Sequence, residues 1–333
     1  MTRREFSFLI PAALGSAAAA PPRSKMGVAT TSYMTFGRPR DTLEFLEKCN
    51  ALGAGGIQAS LTSTDPAYVK RLRARTEELG MYYETIIGLP RTDGSPFEST
   101  VAAAKEAGSL CLRVSCGGRR YEDFKSLEQR KRTEAEWKAS IERALVVAER
   151  HKIPLGLENH KDWTLDEHLA LYKQYSSEYF QACLDTGNNI ALLDDPMEVV
   201  EKLAPYAVCT HIKDMAVEEY PDGFLLSEVP LGEGMLDMKR MVEIVRRARP
   251  ASKFSLEMIT RNPLKIPCLT DSYWISFPDR RATYLARTLR MVREKRSKQP
   301  LPRMDGLDRE AQLRLENDNV KQCLNYAREQ LGL

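Results

Sequence analysis

Four apolar, strand-like runs each carry one side chain able to ligate a metal near their ends. They are Glu158 in IPLGLENH (153–160), Asp185 in ACLDTGN (182–188), His211 in CTHIKD (209–214) and Glu257 in FSLEMI (254–259). Three carboxylates with one imidazole suit a single hard or borderline divalent ion, Mn, Mg, Co or Zn. Other groups able to do chemistry stand close by in sequence. Lys213 is two residues past His211 on the same strand face, so its ammonium could stabilise an oxyanion or bind a carboxylate; an ion pair with Glu158 or Asp185 is the plainer alternative. His160 shares the face of Glu158 and could orient a substrate, shuttle a proton or make a structural hydrogen bond. After Glu257 comes a long polar loop, TRNPLKIPCLTDSYW (260–274). There Arg261 could clamp a carboxylate, and Tyr273 with Trp274 could form a sugar-stacking wall, unless the loop only covers a rim. His151 and His168, at a helix end and on a helix, read as surface residues.

Such side chains need elements that bring them together. From Lys25 onward, strand-like runs alternate with amphipathic helical segments through eight units, which predicts a parallel (β/α)8 TIM barrel with a C-terminal helical extension. No G-x-G-x-x-G follows the first strand, which argues against the doubly wound open sheet. Helix starts are marked by capping boxes at Thr133/Glu136 and Thr164/Glu167 and by Asp195-Pro196. The four ligand candidates fall late in runs five to eight, which are neighbours in a barrel, and strand alternation lets all four point inward. Without a cation, so many ionisable groups at one barrel mouth would leave buried charge uncompensated. Beyond the barrel (25–296), residues 297–333 form a Pro-flanked linker and a charged helix, 307–331. Its stripe of Leu313, Val320, Leu324, Ala327 and Leu331 predicts packing on the barrel or, alternatively, a homo-oligomer contact.

The phrases LENH, LDTGN, HIKD and LEM, in this order, resemble the xylose-isomerase-like barrel superfamily of sugar-phosphate isomerases and epimerases. PLGEGMLDMKRMVEIVRR (230–247) is similar to that family's Gly-Glu-Gly loop and following helix. The resemblance covers about residues 26–295. It implies that Glu158, Asp185, His211 and Glu257 hold one divalent metal, and that Glu158 and Glu257 also act as acid and base. The implied activity is isomerisation or epimerisation of a ketose or keto-sugar, by proton transfer through a metal-stabilised enediolate. Two departures bear on the substrate: Asn188 stands where epimerases of the family commonly have a substrate-binding histidine, and strand two offers Gln58 and Ser60 where many members have an acid. With Arg261 on an acid group, the same site would serve a lyase, dehydratase or decarboxylase of a keto-sugar acid. A non-catalytic sugar-binding barrel is the alternative of another class.

The resemblance implies a small-molecule carbohydrate substrate, and composition argues against nucleic acid as a partner. The 333-residue chain is close to charge balance at +3 with scattered basic residues, whereas nucleic-acid binding needs a concentrated basic face. The endonuclease IV-like repair enzymes share this barrel but spend many histidines on metal, and this chain has four. The sign-alternating stretch RRYEDFKSLEQRKR (119–132) reads as solvated surface. Seven cysteines without pair spacing predict no essential disulfide, with Cys111, Cys183 and Cys209 acting as small hydrophobes. Arg3-Arg4, Phe6 and the run FLIPAALGSAAAA resemble a twin-arginine-type signal peptide over residues 1–24. That predicts a periplasmic or exported protein with no membrane association after cleavage; a cytoplasmic location is the alternative.

Overall fold

The protein is described by a computed structural model over residues 23–91 and 95–333. The signal-peptide reading therefore lies almost wholly outside the described residues. In chain order the strands are β1 (Gly27–Ala29), β2 (Gly56–Ala59), β3 (Tyr82–Ile86), β4 (Leu112–Val114), β5 (Leu155–Glu158), β6 (Phe180–Asp185), β7 (Ala207–Ile212), β8 (Asp214–Tyr220), β9 (Gly223–Val229), β10 (Ser255–Leu256) and β11 (Leu264–Ile266). Eight of them close into a parallel barrel in the order β1-β10-β7-β6-β5-β4-β3-β2, with helices in the connections. The expected (β/α)8 TIM barrel is thus the fold. Apolar runs such as β5 are buried at every residue because the helices cover the side that does not face the barrel interior.

The helix signals explain most starts. Asp65 and Asp195 cap helices that open on proline, at Pro66 and Pro196, and Thr164 with Glu167 forms a complete capping box. Thr133 does not start a helix. It lies inside the helix Leu127–His151, which Ser126 caps by accepting from Gln129 N–H. No Gly or Pro interrupts 127–151, so the helix begins at the first available cap. The stretch 119–132 is likewise not all solvated. Arg130 is buried over the rings of Phe124, Trp137 and Trp163, and Arg120 donates to the Ser276 carbonyl and pairs with Glu167. Planar guanidinium groups pack on aromatic faces in a way that an ammonium cannot.

Two additions surround the barrel. Between β7 and the helix Met238–Ala248, β8 and β9 form an antiparallel hairpin, and β11 joins β9. Part of the loop after Glu257 is therefore strand, and Asp271–Trp274 is a short helix. This sheet has its own apolar cluster, with Ile190–Leu193, Met215, Phe224, Leu226, Tyr273 and Phe277. The C-terminal helix, Arg309–Gln330, packs on β10 and on the turn Thr30–Tyr33, with Val320, Cys323, Leu324 and Ala327 buried in the barrel's main core. Leu313 of the expected stripe stays exposed. All seven cysteines are free, and Cys111, Cys183 and Cys209 meet inside the barrel. Among the described residues no helix is long and apolar enough to cross a membrane.

Candidate metal centre

Register brings the four ligand candidates to one level. Asp185 is opposite His211 across β6 and β7, and Ser255 is opposite His211 across β10 and β7, so Glu257 stands just past the end of its strand. Glu158 is the last residue of β5. Ligand atoms of Glu158, Asp185, His211 and Glu257 all lie within 4.8 Å of one another, and all four side chains are buried.

His211 shows why this set fits a cation. Its Nε2 is hydrogen-bonded to Gln58 Oε1, and Gln58 Nε2 in turn donates to Glu84 Oε2 at 2.9 Å. Gln58 Oε1 accounts for a proton on Nε2, and Nδ1 faces Glu158 Oε1 at 3.3 Å, Glu257 Oε1 at 3.2 Å and Asp185 Oδ2 at 3.8 Å. Burial opposes charge on the imidazole, but neighbours that include Glu257 outweigh it and raise the pKa. Nδ1 and Asp185 Oδ2 are buried and accept no hydrogen bond of normal geometry, although Lys213 Nζ lies 2.8 Å from the latter. Three carboxylate oxygens and Nδ1 converge on one point, and although Asn188 reaches Glu158 Oε1 and Lys213 reaches Asp185 Oδ2, Nδ1 itself has no partner. Only a proton or a metal ion between them removes that repulsion, and three carboxylates with an oriented imidazole are a donor set for a divalent ion.

Cations surround the set. Lys213 bonds Glu257 and lies 3.3 Å from Asn188 Oδ1; burial opposes its charge, but Asp185 and Glu257 outweigh that and hold its pKa above the ordinary range. The Glu257 carboxyl is correspondingly well below its usual range: burial would raise it, and His211 and Lys213 overcome that. Asn188 is buried and joins the groups, donating to Glu158 Oε1 at 2.9 Å while its carbonyl accepts from Lys161 and Lys213. His160 adjoins the set, and burial together with the charges of Lys161 and Arg113 keeps its imidazole neutral, well below its ordinary pKa.

Two expected substrate contacts are engaged in other ways. Arg261 makes a two-pronged ion pair with buried Glu228 of β9, so its guanidinium is already held by a carboxylate. Trp274 donates its indole N–H to the Cys268 carbonyl and packs on Tyr273, and Tyr273 is itself fully buried with its hydroxyl on the Ala191 carbonyl. The pair belongs to the apolar cluster of the added sheet. His168 is fully buried beside Tyr172, not on the surface, and burial pulls its pKa down to about 4.

Sequence reading missed Arg113, which pairs with Glu158, and Lys161, Glu84 and Glu228. Arg113 and Glu84 carried a usable signal: a charged residue inside a short apolar strand that is buried on both faces must point into the barrel and find a partner. Burial raises Glu84 to about 7 despite hydrogen bonds from Gln58 and Ser255.

Comparison with known proteins agrees with this fold. Over 234 residues the chain is 29% identical to 3-oxo-isoapionate decarboxylase of Pectobacterium atrosepticum, covering 66% of this chain and 81% of that protein. Among solved structures, D-psicose 3-epimerase determined in the presence of D-fructose superposes with a TM-score of 0.60 at 15% identity, covering 92% of this chain and 99% of the other. A xylose isomerase-like TIM barrel protein from Mycobacterium smegmatis in complex with magnesium gives 0.54 at 16% identity, covering 80% and 98%. At these identities the two structures speak for the fold alone. The family model for the xylose isomerase-like TIM barrel matches residues 46–294, three quarters of the chain, and the protein belongs to that family.

Proposed function

We propose that the protein is a divalent-metal-dependent enzyme that forms and then protonates an enolate beside the carbonyl of a keto-sugar. The observation that carries this reading is the convergence of Glu158, Asp185 and Glu257 on Nδ1 of His211. A divalent ion held by these four residues would supply Lewis acidity to a substrate carbonyl. Glu158 and Glu257 flank His211 Nδ1 at nearly equal distances, which suits one carboxylate to take a proton from carbon and the other to return it. Lys213 offers an ammonium to the oxyanion that develops, and His160, kept neutral, can pass a proton. With proton return to the other face or the neighbouring carbon, the outcome is epimerisation or isomerisation.

Loss of carbon dioxide from a 3-oxo sugar acid is the second outcome, and the decarboxylase relative favours it. There the bond from the carboxylate to its neighbouring carbon breaks, its electron pair passes toward the carbonyl, carbon dioxide leaves, and the carbon takes a proton exchangeable with solvent. The test is to incubate Mn-loaded protein in deuterated water with ketoses, 3-keto sugars and 3-oxo sugar acids, following deuterium uptake and carbon dioxide release. One of these signals is expected, reduced by about a hundredfold or more in Glu158→Gln and Glu257→Gln. Metal-loaded protein that binds sugars and yields neither signal would contradict the enzyme reading in favour of a binding barrel.

A further inference from the structure

Arg113, Lys213 and Arg261 each have a carboxylate partner, whereas Lys161 does not. Among the described residues its ammonium contacts one side chain, the neutral Asn188, through an amide oxygen that Lys213 also approaches at 3.3 Å. Two ammonium groups thus share a single uncharged oxygen. Lys161 is only 4% exposed, so water does not provide the missing counter-charge. Its position is fixed by the fold: three residues beyond Glu158, its carbonyl accepts from Arg120 N–H at 2.8 Å, where the chain bridges to Arg119. Lys213 and Arg261 are close enough that, after burial, they are the main reason its pKa falls to about 7.

The wider charge balance points the same way. Glu158, Asp185, Glu228 and Glu257 face Arg113, Lys161, Lys213 and Arg261, four against four. With Lys161 protonated, a divalent ion would leave these eight groups two charges positive, a state that an anionic ligand relieves and a neutral sugar does not. Asn188 belongs to the same logic. It offers Lys161 and Lys213 an oxygen without charge, so it holds both ammonium groups in place without neutralising either one.

We propose that Lys161, with Lys213 beside it, forms a carboxylate subsite that makes this protein select sugar acids over neutral sugars. The proposal rests on the metal-enzyme reading above, but its test separates the two. Four-, five- and six-carbon aldonates and the matching alditols would be titrated by calorimetry into Mn-loaded full-length protein, its Lys161→Met variant and its Lys161→Arg variant. Manganese affinity and thermal unfolding of each variant serve as controls.

At least one aldonate is expected to bind about tenfold or more tightly than its alditol, the scale of a charge-assisted hydrogen bond. Lys161→Met should bring the two within about threefold while manganese still binds, and Lys161→Arg should keep the preference. A protein that binds manganese but shows no acid preference, or keeps it in Lys161→Met, would overturn the subsite and leave the metal reading intact. Failure to bind manganese would instead strike the metal reading. If Lys161→Met does not fold, the wild-type pair of ligands and Lys161→Arg still decide: no wild-type preference overturns the proposal.

Discussion

His211 is the residue on which the site turns, because its two nitrogens do different work. Gln58 fixes the proton on one, and the other is left facing three carboxylates. Replacing Gln58 by Leu should therefore weaken manganese binding by about 10–100-fold without removing a ligand, as loss of an orienting partner does elsewhere. Titration of the variant with manganese checks this. Lys161 offers a test with a definite sign. Its folded pKa is lowered to about 7 by burial and by Lys213 and Arg261, with Glu228 and Asp185 opposing, so the free protein holds it largely neutral at pH 8.5. A bound carboxylate favours the ammonium, so aldonate binding at pH 8.5 should take up close to one proton, and much less at pH 6. Calorimetry in buffers of different ionisation heat measures that uptake. The four ligand candidates were legible in the sequence because each ends an apolar run with a side chain that has no place in an ordinary core. Lys161 was not, since a lysine three residues past a strand end is usually solvated; burial alone sets it apart.

At the scale of elements, Asp214 organises the loop between β9 and the helix Met238–Ala248. It opens β8, and its carboxylate accepts from the N–H groups of Met215, Gly232, Gly234 and Leu236 at 2.8–3.1 Å. Gly232 sits at a φ of +88°, where a side chain would be strained, and a Cβ at Gly234 would fall 2.1 Å from Asp214 Oδ1. The resemblance of this loop to a Gly-Glu-Gly motif thus has a physical basis in a backbone wrapped around one buried carboxylate. Asp214→Ala should cost about 2–4 kcal/mol in denaturant unfolding, since several backbone donors lose a buried acceptor. The β8–β9 hairpin was readable too. Tyr220 pairs with Gly223 across Pro221-Asp222, and a Pro-Asp-Gly turn between two β-rich runs is a hairpin signal. It was masked by the regular strand–helix alternation around it. The short helix carrying Trp274 could not be read from composition, because its aromatic rings serve a cluster built from segments far apart in the chain.

Across the whole molecule, the closed barrel sets the distances among the four candidate ligands, and the C-terminal helix helps to hold the barrel. Glu316 of that helix accepts from Phe36 and Gly37 N–H groups in the segment after β1, and Asn319 bonds Thr260 just past Glu257. A chain ending at residue 296 should expose the surface that Val320, Cys323, Leu324 and Ala327 cover, and unfold at least about 5 °C lower than the intact chain, as seen by calorimetry or circular dichroism. One divalent ion should bind where strands β5, β6, β7 and β10 end, and manganese titration of metal-free protein measures this. One ion per chain is expected, with affinity reduced by about a hundredfold or more in folded Asp185→Asn and His211→Gln. Absence of stoichiometric binding, or binding undiminished in both variants, would contradict it.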